Sequence, residues 1–311
     1  MASPPPAAAA RALRRRGSLA PYGFLGPAAL LFTLFFALPI GFAVYLSLRA
    51  VKVKGLGLGS HARTEVWAGL SNYTSALSDP ELLSGSGRVL LYGVLLVPTM
   101  LGAALFFALL LDVPRVRFGA FSRLVIFLPY AVPGIVASTL WGFLYLPQVS
   151  PGYYLLTEAG MSGPDLLHGG GLYLAMANIA VWGGTGFNMI VIYTSLRALP
   201  AELYEAARLD GCSELQIALR IKIPLVAPSL VLTFFFSMIA TLQVFAEPMT
   251  LKPLTNSMSS TWSPLMKVYR DAFVQGNVYS AAATSVVIAA ATLLLSFGFL
   301  KLVNKRANGG S

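Results

Sequence analysis

Six long runs without a single Asp, Glu, Lys, Arg or His divide this chain, at about 22–48, 89–111, 124–146, 172–196, 224–245 and 279–300. A bilayer-crossing helix needs about 20 mostly apolar residues, so each run is long enough to span. Lipid tails offer the backbone no hydrogen-bond partners, which restricts spanning segments to helices and closed barrels. Runs of this length suit helices. Only 11% of the residues are charged, against about 25% in an ordinary soluble domain. The expectation is an all-α membrane protein with six transmembrane helices.

Lys and Arg concentrate in loops on the cytoplasmic side of a membrane protein. With six spans both termini share one side. That side holds Arg11 and Arg14 to Arg16, then Arg115, Arg117 and Arg123, then Arg197, Arg208, Arg220 and Lys222, then Lys301, Lys305 and Arg306. These are fourteen cations against eight on the other side, so both termini are expected to be cytoplasmic. Most of the net charge of +10 is thereby explained as an orientation signal rather than a nucleic-acid footprint. The run from Gly17 to Leu48 is far longer than a 7–15-residue signal core, so it reads as an uncleaved first span. The expected division is a disordered cytoplasmic tail at 1–20, rich in Pro and Ala, and a transmembrane domain at 21–311.

Several chemistries are not written in the chain. The dipeptide Gly-Lys never occurs, so there is no G-x-x-x-x-G-K-[ST] phosphate loop. One cysteine, Cys212, and two isolated histidines, His61 and His168, give no metal-ligand spacing. Ion-coupled carriers usually bury ionisable groups inside their spans, and these spans have none. The chain is expected not to be an enzyme, to carry no cofactor, and to draw energy from another chain.

The loop at 197–223 holds the densest pattern. Pro200 can open a short helix, with Glu202 and Glu205 suited to its positive end. Asp210-Gly211 is a strong break, since Gly accepts left-handed backbone at little cost. Ser213 and Gln216 then have the capping-box spacing of a second short helix. The local physics predicts a helix–turn–helix at the membrane surface.

Glu205-Ala206-Ala207, Gly211, and Ile221-Lys222-Ile223-Pro224 stand at the spacing E-A-A, three residues, G, nine residues, I-x-L-P. This segment resembles the EAA loop of ABC importer permeases, with Ile223 in place of the usual Leu. Trp67 to Tyr73 resembles the F-x-G-L-x-N-Y element of the sugar-uptake branch, Leu128 to Pro133 its L-P-x-x-x-P element, and Gln243 to Pro248 its Q-x-F-x-E-P element. The usual L-T-G-G-G-P continuation is replaced by Leu251-Lys252-Pro253-Leu254-Thr255. The resemblance implies a type I ABC importer permease fold. It implies coupling to an ATPase subunit through Glu205, Ala206, Ala207, Asp210, Gly211, Ile221 and Pro224. It also implies further partners: a second, similar permease and an external solute-binding protein. ATP and Mg would be bound by the ATPase.

The stretch Asn178 to Asn188 resembles the part of the larger maltose permease subunit that lines the sugar site, with Trp182 and Phe187 at its aromatic positions. Trp182, Phe187, Asn188 and Gln243 are the candidate pathway residues, Trp141 a weaker one. Packing between helices is the other reading for each of them. The glycines at 183, 184 and 186 would let the helix unwind around a cavity. Glu247 reads as a solvated loop residue beyond the membrane. The function expected is ATP-driven import of a mono- or oligosaccharide across a bacterial inner membrane. The alternatives are another cargo for the same machine, such as a polyol, a glycerol phosphate ester or a peptide, and a stand-alone carrier.

Overall fold

A computed structural model describes residues 20–53, 63–113 and 117–308. The expected tail at 1–20 therefore lies almost wholly outside the described residues. Helices α1 (Ala20–Phe32) and α2 (Leu38–Ser47) form one apolar rod through a π-turn at Thr33–Ala37. Its large side chains from Phe24 to Phe42 are exposed, as lipid-facing groups would be. A two-stranded hairpin follows, β1 (Arg49–Val53) antiparallel to β2 (Arg63–Trp67), with Val51 opposite Glu65. The all-α expectation is corrected here. β-branched and aromatic residues such as Val51, Thr64, Val66 and Trp67 favour the pleated ribbon. Asn72 of α3 (Ser71–Leu77) fixes its base by donating to the Ser47 and Arg49 carbonyls.

Helix α4 (Pro80–Leu111) is the main strut, about 48 Å long at 1.5 Å per residue. Asp79 caps it by accepting from the Glu81 N–H, and Pro80 stands in its first turn. It starts well before the expected Val89, because Arg88 does not face lipid: it donates to the Thr261 and Trp262 carbonyls at 2.7 and 2.9 Å. Helix α8 (Gly171–Arg197) packs along α4 and runs parallel to it. Tyr92 Oη reaches the Met176 carbonyl, Gly184 abuts Met100, and Ala104 and Ala108 share a buried cluster with Met189 and Ile192.

The third and fifth apolar runs are bent rather than straight. Helices α5 (Gly119–Phe127) and α6 (Gly134–Leu144) meet at 94° across a 3-10 turn at Leu128–Ala131. Pro129 and Pro133 lack N–H groups, and proline pushes its predecessor to extended backbone, as at Val132 with ψ 126°. After α7 (Pro151–Glu158) and α8 come the short helices α9 (Ala201–Leu209), α10 (Glu214–Ile217) and α11 (Ile223–Leu225). The segment containing α11 meets α12 (Ala227–Leu242) at 66°, with Pro224 and Pro228 at the break. Helices α13 (Ala246–Leu251), α14 (Pro264–Tyr269) and α15 (Val278–Asn308) complete the described residues. Among the described residues, four helices, counting α1–α2 as one, are long and apolar enough to cross a membrane, and up to six segments are if each bent pair is one span.

Two buried clusters fill the bundle. The one nearer the hairpin end gathers Val89, Tyr92, Met176, Leu251 and Trp262. The one nearer the α9–α10 end gathers Ala104, Ala108, Met189, Ile192 and Val226. Helix α8 is continuous through its glycines, so the expected unwinding does not occur. A Cβ at Gly184 would lie 2.5 Å from Met100 Sδ, and one at Gly186 only 2.2 Å from the Ile126 carbonyl oxygen. These glycines let α4 and the bent turn press against α8.

Candidate functional site: a surface helix pair and a central cavity

The α9–α10 segment folds as its residues dictate. Gly211 has φ +81°, and an added Cβ would meet nothing within 4 Å, so left-handed backbone rather than space demands glycine. The turn is closed by N–H groups of Gly211 and Cys212 donating to the Arg208 and Ala207 carbonyls. Ser213 and Gln216 form the complete capping box. Arg208 Nε lies 2.7 Å from Glu214 Oε1 and holds that carboxyl below its ordinary range. Ala207 is buried, while Glu205, Ala206, Asp210, Gly211 and Pro224 are exposed and Ile221 is half-buried. Leu203, Leu209, Leu215 and Leu219 are all exposed, Leu209 at 89%. The pair thus presents an apolar surface without a partner in this chain's described residues.

Directly beneath it lies a group that sequence reasoning missed. Lys222 Nζ sits 2.6 Å from Asp112 Oδ2, both side chains are buried, and the ammonium lies 4.8 Å from the Tyr204 ring centroid. Asp112 stands where an apolar run ends, and that placement was the only signal.

The second feature is a cavity of about 770 Å³ between α4, α8, α12 and the α5–α6 turn. Phe187 lines it and stacks on Tyr130, with ring centroids 4.9 Å apart. Asn188 lines it too, its amide nitrogen donating to the Gly184 carbonyl, which leaves its oxygen as an acceptor. Gln243 caps α12 and faces the same space. Trp182 does not line it: its ring packs edge-on to Trp141 at 5.9 Å, against the buried cluster. Ser237, Thr241 and Glu247, not singled out as pathway residues, do line it. Glu247 is therefore not a solvated loop residue. The chain folds back after Gln243 and returns it to the cavity, where burial pushes its carboxyl up from the ordinary value. The described lining includes no Lys, Arg or His.

Residues 81–309 match the family of binding-protein-dependent transport system inner membrane components. This chain belongs to that family. The permease is 30% identical, over 93% of its own length and 96% of the relative's, to an sn-glycerol-3-phosphate transport system permease protein, UgpA, of Agrobacterium fabrum. It is 27% identical to a UgpA of Escherichia coli, over 89% of the permease and 91% of that relative. The permease shares the fold of a chain from a bacterial ABC transporter involved in importing the acidic polysaccharide alginate. That match has a TM-score of 0.77 at 16% identity and covers 92% of the permease and 95% of the other chain. The permease is a multi-pass inner-membrane transport component, and its family works with ATPase and solute-binding partners. Its resemblance to glycerol-phosphate permeases holds over nearly the whole chain.

Proposed function

We propose that the permease carries a neutral, polyhydroxylated solute, a mono- or oligosaccharide, through the cavity between α4, α8 and α12. One observation carries the cargo class. The cavity combines aromatic faces with Asn188, Gln243, Ser237 and Thr241, and its one ionisable acid, Glu247, has no cation beside it in the lining. Carbohydrate sites need flat apolar faces with a few fixed polar groups. A phosphate ester would need a compensating cation, and Glu247 would oppose it. The second reading, a glycerol phosphate ester, is favoured by the names of the relatives at 26–30% identity.

In this reading six spans place both termini in the cytoplasm, with residues 21–311 as the transmembrane domain. Glu205, Ala206, Ala207, Asp210, Gly211, Ile221 and Pro224 form or support the surface that docks on an ATPase subunit. A second, similar permease completes the translocation path, and the chain itself binds no ATP. The exposed leucines of the α9–α10 pair support the docking assignment.

Uptake by proteoliposomes holding the permease, its ATPase and its solute-binding protein tests the cargo. Labelled maltose and glucose serve as neutral probes, and glycerol 3-phosphate as the anionic one. Uptake of a neutral probe is expected, falling about 2- to 12-fold in Asn188→Ala or Gln243→Ala, the cost of one neutral hydrogen bond. Uptake of glycerol 3-phosphate alone would replace the sugar by the ester.

A further inference from the structure

We propose that the buried triad Tyr204–Lys222–Asp112 is the link that passes movement of the α9–α10 pair to α4, and through α4 to the cavity wall. Three separate segments meet there: Tyr204 from α9, Lys222 from the π-turn at Ala218–Lys222 after α10, and Asp112 from the C-cap of α4. The ion pair is 2.6 Å long, with side chains only 6% and 5% exposed. Tyr204 closes it from above, its ring 4.8 Å from the ammonium. Its phenol is pushed up by burial first and by the Asp112 charge second.

The placement is informative because it is costly. A buried ion pair is often no more stabilising than apolar residues of similar volume, and buried apolar residues flank this one along the chain: Leu111 precedes Asp112, and Val226 lies one turn beyond Lys222. What an ion pair adds over such packing is direction, since among the described residues each charge has a single salt-bridge partner. Asp112 stands one residue beyond a continuous helix whose other residues Tyr92, Leu96 and Met100 line the cavity. Pro98, between the last two, removes a helical hydrogen bond at cavity level. At its far end α4 is held by Lys267 at 2.9 Å from Asp79 and by Arg270 paired with Glu81. A displacement of the surface pair therefore enters α4 at Asp112, while the opposite end of α4 is anchored beyond the cavity.

The inference rests on the reading of the α9–α10 pair as the ATPase dock, and the experiment separates the two. In the reconstituted importer, the double variant Asp112→Asn with Lys222→Met leaves neither charge stranded. It is expected to assemble and to lose at least about 5-fold in the ratio of cargo-stimulated to cargo-free ATP hydrolysis. The exchanged pair, Asp112→Lys with Lys222→Asp, is expected to recover most of that ratio. Tyr204→Leu, which keeps the ion pair, should lower it in the same direction. A pair that merely stabilised the fold would reduce the amount and thermal midpoint of the complex while leaving the ratio intact in what survives. A wild-type ratio in the double variant, or an exchanged pair no better than it, overturns the proposal. Disulfide formation between Cys212 and a cysteine scanned along the ATPase groove reports docking independently. If no position cross-links in assembled wild-type importer, the docking reading itself fails. If cross-linking persists in the double variant with an unaltered ratio, only the triad fails.

Discussion

Gly211 shows how much one backbone angle carries. With φ at +81° it occupies a region that β-branched residues avoid and Asn tolerates. Open space around its missing side chain means that a substitution is judged by conformation alone. Gly211→Val is therefore expected to assemble in the membrane yet lose most cargo-stimulated ATP hydrolysis, while Gly211→Asn retains most of it. Equal stimulation in wild type and the Val variant would remove the turn from the coupling path. This glycine was legible from the sequence because Asp-Gly between two helical patterns has one local solution. Trp182 and Glu247 were not. Which face of α8 meets the cavity depends on how α4 and the α5–α6 turn press on Gly184 and Gly186, and no local pattern encodes that. Glu247 follows an apolar run and looked solvated, but the chain reverses at Gln243 and Phe245, which no single residue announces.

At the scale of elements, the ends of α4 are set by charges that hydropathy alone treats as noise. At the hairpin end Lys267 binds both Asp79 and Asp271, and Arg270 binds Glu81 and Asp271. Burial alone would push the Asp79 carboxyl up, but hydrogen bonds from Lys267 and the Glu81 N–H bring it below its ordinary value. Lys267 is likewise opposed by burial and raised by its two carboxylate partners. A depressed carboxyl contributes stability that is complete above its unfolded pKa and lost as pH falls through its folded one. A raised lysine contributes stability that is complete below its unfolded pKa and lost as pH rises through its folded one. The network therefore holds from about pH 5 to about pH 9. Asp79→Asn keeps a helix-capping side chain and removes only the charge. Its thermal midpoint should fall below wild type at neutral pH, and the gap should close as pH drops below about 4. A gap that stays constant with pH would assign the loss to packing. The bends at Val132 and Val226 are latent in the sequence, since prolines mark them, but uncharged length gives only the bounds of a span.

For the molecule as a whole, helix directions decide how many segments cross. Helices α4 and α8 are parallel, as the matched contacts Tyr92 with Met176 and Met100 with Gly184 require. The chain must return between them, and α5–α6 is the apolar segment available to carry it back across. Helix α12 is antiparallel to both: its start meets the end of α8 through Ser229 and Ser195, and its end meets the first half of α4 through Thr241 and Gly93. Helix α15 begins at the hairpin end, where Tyr279 donates to Glu65. These directions support six crossings, with each bent pair counted as one span. A reporter at Ser311 does not test this, because four crossings and six both leave the termini on one side. A reporter near Gly160 does. Six crossings put it opposite the termini, while bent pairs that merely dip into the membrane leave it on their side. The same four-crossing arrangement would carry the α9–α10 pair outside, away from any cytoplasmic ATPase. Opposite signals at Ser311 and Gly160 are expected, with a third fusion beside Asp210 matching Ser311. A Gly160 signal matching Ser311 would remove both the sixfold crossing and the docking surface together.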